Sequence, residues 1–175
     1  MNYRNLCNEV IEIAKHVGQY IKLEQQKNAT LNIETKSLNN FVTHVDKTAE
    51  AKIVNSLKNL ISNAGFIAEE GTSNEQSEEY NWIIDPLDGT TNFIHQIPCF
   101  AVSIALTHKN KLVLGVVYEI NFNECFYAWE NSNAYMNGNK ISVSKSKTLN
   151  QSLLATGFPY DDFSQQQQYM NLLSF

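Results

Sequence analysis

The sequence predicts a mixed α/β chain of the α+β kind, with helices packed against a largely antiparallel sheet in a single domain over residues 1–175. Three observations carry that prediction. Apolar residues recur at helical spacing in two stretches of the first third. From Phe100 onward the chain runs in β-rich segments joined by very short turns. No repeat or linker divides it, and 175 residues with 43% hydrophobic content suffice for one sizeable core.

Leu6, Val10, Ile13, Val17, Tyr20 and Ile21 form one apolar stripe, which predicts a helix from residue 3 to about 27; Glu9, Glu12, Lys15 and Lys22 fall on its solvated side. The polar stretch "NATLNIETKSLNN" is expected to connect, with a short extended piece at Leu31 to Ile33. A second helix fits residues 45 to 62, striped by Val45, Ile53, Leu57, Leu60 and Ile61 and stopped by Asn-Ala-Gly. "FIAEEG" follows as a short strand ending in acids, and the polar loop "TSNEQSEEY" leads to a strand at "WIID". "FAVSIALTH", "KLVLGVVYEI" and "ECFYAWE", joined by "KN" and "NFN", predict a meander, and "YMNGNKISVS" predicts an Asn-Gly hairpin. "SLLATGF" is a further strand candidate, and "YDDFSQQQQYMNLLSF" starts a helix with Asp161 or Asp162 near its amino end.

A net charge of -5 argues against a nucleic-acid partner, although one cleft can still hold local cations for a phosphorylated small substrate. Cys7, Cys99 and Cys125 are odd in number and form no Cys-x-x-Cys pair, as expected of reduced thiols. The amino terminus lacks a signal-peptide core and no run is long enough to span a membrane, so the expectation is a soluble cytoplasmic protein without a membrane partner.

Acidic residues gather where apolar runs stop: Asp46 after "FVTHV", Glu69 and Glu70 after "FIA", Asp85 and Asp88 after "WII". Adjacent strand ends would bring such groups to one rim. Like charges crowded there need a neutralising partner, and hard cations such as Mg²⁺ take oxygen ligands. Pro86 restricts the turn, the Leu87 carbonyl lies between the two aspartates, and Gly89 leaves room for a phosphate beside the backbone. "GTTNF" would open a short helix, with the Thr90 hydroxyl placed to orient a water. Taken singly these are ordinary features: Asp-Pro and Asp-Gly make turns, "AEEG" makes a solvated loop, and Asp46 makes a helix N-cap. Their ordered combination favours a site.

That combination resembles the inositol monophosphatase family, Mg²⁺-dependent, lithium-sensitive phosphatases of small substrates. "DPLDGTTNF" is similar to the family's first signature, and "FVTHVDKTAE", "FIAEEG", "GVVYEINFNECFYA" and "ATGFPY" follow its order and spacing. The resemblance implies a layered α/β sandwich of the inositol monophosphatase and fructose bisphosphatase type. It implies Mg²⁺ held by Glu69, Asp85, the Leu87 carbonyl and Asp88, a water positioned by Thr90 and Asp46 with Glu69 contributing to catalysis, and phosphate contacts from Gly89 and Thr90. Lys36 matches a family lysine near the site, and reads equally as an exposed loop lysine.

The family glycine before the glutamates is Ala68 here, and the family Asp before "F-V-T" is Asn40. The second signature "W-D-x-A-A-G" and the "R-x-x-G-S-A-A" stretch are not in the sequence, so the resemblance implies the amino-terminal two-thirds of a family member, homodimeric when full length. The expected activity is hydrolysis of a small phosphate monoester, inositol monophosphate foremost. Fructose bisphosphatases ("DPLDGSSN") and bisphosphate nucleotidases ("DPLDGTKEF") are the nearest alternatives, and a non-catalytic remnant keeping an assembly surface is the alternative of another class. A haloacid-dehalogenase "D-x-D-x-T" does not fit the spacing.

Overall fold

The computed structural model describes residues 1–27, 33–37, 40–157 and 163–174, with backbone alone for 33–37 and 40–42. Helix α1 spans Tyr3–Gln26 and is capped by Asn2, whose Oδ1 accepts the Asn5 N–H at 3.2 Å. Strands β1 (Ile33–Ser37) and β2 (Asn40–Thr43) form a small antiparallel hairpin, followed by α2 (His44–Lys58). Then come β3 (Gly65–Ala68), β4 (Tyr80–Asp88), the short α3 (Thr90–Ile94), β5 (Ala101–His108), β6 (Lys111–Glu119) and β7 (Glu124–Trp129). A hairpin of β8 (Ala134–Met136) and β9 (Asn139–Ile141), a 3₁₀ turn at Leu149–Gln151 and α4 (Gln166–Leu173) complete the chain.

Strands β3 to β9 lie in sequence order in one seven-stranded sheet, with β3 parallel to β4 and every other pair antiparallel. The meander follows from its turns. Lys109 and Asn110, like Asn137 and Gly138, have positive φ at both central positions, the twist that a tight hairpin requires.

α1 and α2 cover one face of the sheet. Val10, Val17, Ile21, Ile53 and Leu57 meet Trp82, Ile104, Leu106, Val116 and Cys125, all essentially excluded from water. Each such side chain contributes roughly 1.5–3 kcal/mol. Burial pushes the Cys7 and Cys125 thiols up to about 12 and about 11, leaving little nucleophilic thiolate. The opposite face alternates out of phase and stays partly open: Ile67, Ile83 and Val117 are 40%, 39% and 40% exposed.

The extended piece expected at Leu31 to Ile33 has its last residue in β1, which runs on to Ser37 and pairs with a second strand, as β-branched Ile33, Thr35 and Val42 favour; residues 28–32 lie outside the described residues. The structure departs from the sequence expectations in two places. α2 stops at Lys58 rather than 62: the Asn59 side chain donates to the Asn55 carbonyl, its backbone N–H turns back to Leu57 and Ser56, and Leu60 and Ile61 pack half-buried beyond the helix. Residues 152–157 form no strand. They lie beside no partner edge, and Leu153 is 98% exposed. Asp161 and Asp162 lie outside the described residues. Among the described residues no helix is long and apolar enough to cross a membrane.

Candidate active site

The β2–α2 junction supplies the first part of the site. Thr43, not Asp46, is the helix cap, and Asp46 is its reciprocal partner three residues on. The Thr43 backbone N–H and hydroxyl donate to Asp46 Oδ2 at 2.9 and 2.5 Å, and Thr43 Oγ1 accepts the Val45 N–H at 3.1 Å. An N-cap aspartate would spend its carboxylate on its own helix. In the third position Asp46, 1% exposed, keeps Oδ1 for a distant partner, the Thr90 hydroxyl at 2.8 Å. That hydroxyl also stands 3.0 Å from the Leu87 carbonyl oxygen. It has one proton, and the charged acceptor is the stronger, so Asp46 takes it.

The sheet rim supplies the second part. Ala68 pairs with Ile84 in the parallel β3–β4 ladder, so the next residues, Glu69 and Asp85, emerge side by side, with the Glu69 N–H on the Ile84 carbonyl at 3.2 Å. Asp85 hydrogen-bonds Glu69 through its side chain. It is pushed from 3.8 to about 8, first by burial, then by the hydrogen bond and charge of Glu69, then by the charge of Asp88; the Leu87 N–H, 3.2 Å from Oδ1, acts the other way. Pro86 cannot donate to a ladder, and the β4–β5 register slips between Asp85 and Asp88. The slip buries Leu87 and leaves Asp88 exposed at the strand end. Gly89 then turns the chain into α3 with φ +93°. A Cβ there would stand 2.8 Å from the Cys99 carbonyl oxygen.

The expected residues therefore gather unevenly. Asp46, Thr90 and the Leu87 carbonyl are in direct contact, Glu69 touches Asp85, and Asp88 acts on Asp85 through its charge. Among the described residues no three or more His, Cys, Asp or Glu side chains form a group arranged to hold a metal ion, so the three acids are not a preformed cage. What stands ready is a set of hard oxygens, two touching carboxyls with a third charge and a backbone carbonyl close by. That donor chemistry suits Mg²⁺ and not a soft metal. Lys36 lies on β1 where the β1–β2 register shifts, and its side chain is outside the described residues, as is that of Asn40. Ala68 is buried in β3.

Two residues that sequence reasoning missed are structurally prominent. Thr43 carries the capping box. Glu50, fully buried, accepts the Glu70 N–H at 2.6 Å, the Thr72 N–H at 2.8 Å and the Thr72 hydroxyl at 2.7 Å, pinning the turn that follows Glu69. The available signal was helical phase: Glu50 lies four residues after Asp46, in register with Val45, Ala49 and Ile53 on the face that packs inward.

Comparison with known proteins places these features in context. The profile of the inositol monophosphatase family matches residues 2–174. A relative named Nus factor SuhB from Vibrio cholerae is 39% identical over 170 residues, 97% of this chain and 64% of the relative, so the chain spans a little under two-thirds of that relative's length. A crystal structure of the extragenic suppressor protein suhB from Bartonella henselae superposes with TM-score 0.77 at 34% identity, covering 81% of this chain and 55% of the other. An IMPase of Thermotoga maritima superposes with TM-score 0.72 at 35% identity, covering 77% and 52%.

Proposed function

The chain belongs to the inositol monophosphatase family, and from that premise we propose that it serves Mg²⁺-dependent hydrolysis of a small phosphate monoester, inositol monophosphate foremost. The observation that supports this reading best is the contact of Asp46, Thr90 and the Leu87 carbonyl beside the Glu69–Asp85 pair. Glu69, Asp85, the Leu87 carbonyl and Asp88 are the oxygens that would hold the ion. Mg²⁺ bound there would acidify a water and offset the charge of the transferring phosphoryl group. Thr90 gives its proton to Asp46, which leaves an oxygen lone pair to accept a proton from an attacking water, with Asp46 as the final base. Burial of Asp46 and its bonds from Thr43 hold this relay in one orientation. Gly89, lacking a Cβ, and the backbone of Thr90 face the phosphate in this scheme. Cytoplasmic placement and a homodimer belong to the same proposal.

A second reading comes from the name Nus factor carried by the Vibrio relative: an assembly role without hydrolysis. Phosphate release from inositol monophosphate, fructose bisphosphate and a nucleoside bisphosphate, with and without Mg²⁺, separates the two. The proposal predicts Mg²⁺-dependent release from inositol monophosphate that is lost in Thr90→Ala. No release above that variant from any of the three substrates would favour the assembly role.

A further inference from the structure

We infer that Glu50 is a positioning residue for the site: it anchors the turn after β3 and thereby holds Glu69 against Asp85. The inference rests on the metal-site reading above and extends it to a residue that touches neither the ion nor the substrate.

α2 presents two buried carboxylates one turn apart on the same face, and each reaches a different segment of the site. Asp46 holds Thr90 after β4, and Glu50 holds residues 70 to 72 after β3. Burying a carboxylate is costly unless several donors converge on it, and Glu50 receives three, two of them backbone N–H groups. Glu69 lies between β3, where its own N–H bonds the Ile84 carbonyl, and the Glu70 N–H fixed by Glu50. Its backbone is thus clamped on both sides. The turn is further tied by the Gly71 N–H to the Ala68 carbonyl at 3.2 Å and the Ala68 N–H to Asn74 Oδ1 at 3.2 Å. Those two ties stay within the β3–β4 connection, whereas the three Glu50 bonds fix it to α2, the helix that carries Asp46. The helix is therefore a ruler that sets the two halves of the site at one spacing.

The test uses Glu50→Gln in the full chain, which keeps the side-chain shape but exchanges one charged acceptor oxygen for an N–H₂ facing an N–H donor. Near-UV circular dichroism first establishes that the variant is folded. Mg²⁺ affinity is then measured by calorimetry, and exchange of the Glu70 and Thr72 amides by NMR. The expected result is an affinity loss of about 10- to 100-fold, with faster exchange confined to residues 69 to 72. Asn81→Ala serves as control. Asn81 pins Ser77 near the opposite end of β4, so its loss should lower the melting temperature without changing Mg²⁺ affinity. A folded Glu50→Gln chain with wild-type Mg²⁺ affinity, or unchanged exchange at Glu70 and Thr72, overturns the positioning role. If the wild-type chain binds no Mg²⁺, the metal-site reading itself fails, and exchange still decides whether Glu50 anchors the turn. Should Gln unfold the chain, Glu50→Asp, which keeps the charge but not the reach, is put through the same measurements with the same expected results.

Discussion

Replacing Asp85 by Asn should change how the metal-free protein responds to pH. Folded Asp85 holds its proton up to about 8, whereas the unfolded chain releases it near 3.8. Between those values the folded state binds more protons. The stabilisation is complete below the unfolded value and is lost as pH rises through about 8. Each unit is worth about 1.4 kcal/mol. Asp85 is only partly buried and is coupled to Glu69 through a hydrogen bond and its charge, so solvent screening and that coupling reduce the whole effect to roughly 2 kcal/mol. Asn keeps an acceptor for the Leu87 N–H but carries no charge to repel Glu69 and Asp88. Urea denaturation in the presence of a chelator, at pH 5 and pH 9, measures the difference. The wild type should lose about 1.4 kcal/mol more than Asp85→Asn over that interval, the share of the effect that falls above pH 5. Parallel pH dependence of the two proteins would refute the account of crowded carboxylates.

Gly89→Ala forces a side chain into φ +93° against the Cys99 carbonyl and should cost about 1–3 kcal/mol, read from thermal melts; an unchanged melting temperature would show that the turn relaxes freely. Thr90→Val keeps the shape but removes the donor to Asp46. It should cost about 1–3 kcal/mol and slow any Mg²⁺-dependent phosphate release by about 10²–10⁴-fold, so wild-type turnover would exclude the relay. The open sheet face carrying Ile67, Ile83 and Val117 should drive concentration-dependent association. Sedimentation of Val117→Lys should then show less of it, and equal association would assign the contact to another surface.

Much of the fold was legible because periodicity and turn chemistry agree. The stripe from Leu6 to Ile21 became α1, and the turns "KN" and Asn-Gly became hairpins through residues that tolerate positive φ. What failed was decided by tertiary partners. Residues 152–157 pair with neither edge of the sheet and stay exposed, and α2 ends where Asn59 caps it, although Leu60 and Ile61 continue the apolar pattern. The site was legible as a set of acids at strand ends, and the parallel pairing of β3 with β4 brings Glu69 to Asp85. Which acid serves which purpose was not. Taken alone Asp46 reads as an N-cap, its pairing with Thr90 came from the family resemblance, and Glu50 reads as one more helix carboxylate. Burial separates it from exposed Glu9 or Glu12, and burial depends on contacts twenty residues away.

The central claim is that the oxygens around Asp85 are crowded because they receive a divalent ion. Calorimetric Mg²⁺ titration of the wild-type chain and of Asp85→Asn, at pH 7.5 under identical salt, tests it most directly. The account predicts saturable binding by the wild type, accompanied by proton release from the Glu69–Asp85 pair and visible as a buffer-dependent heat, and loss of both in the variant. Equal binding by the two proteins, or binding without proton release, would contradict it.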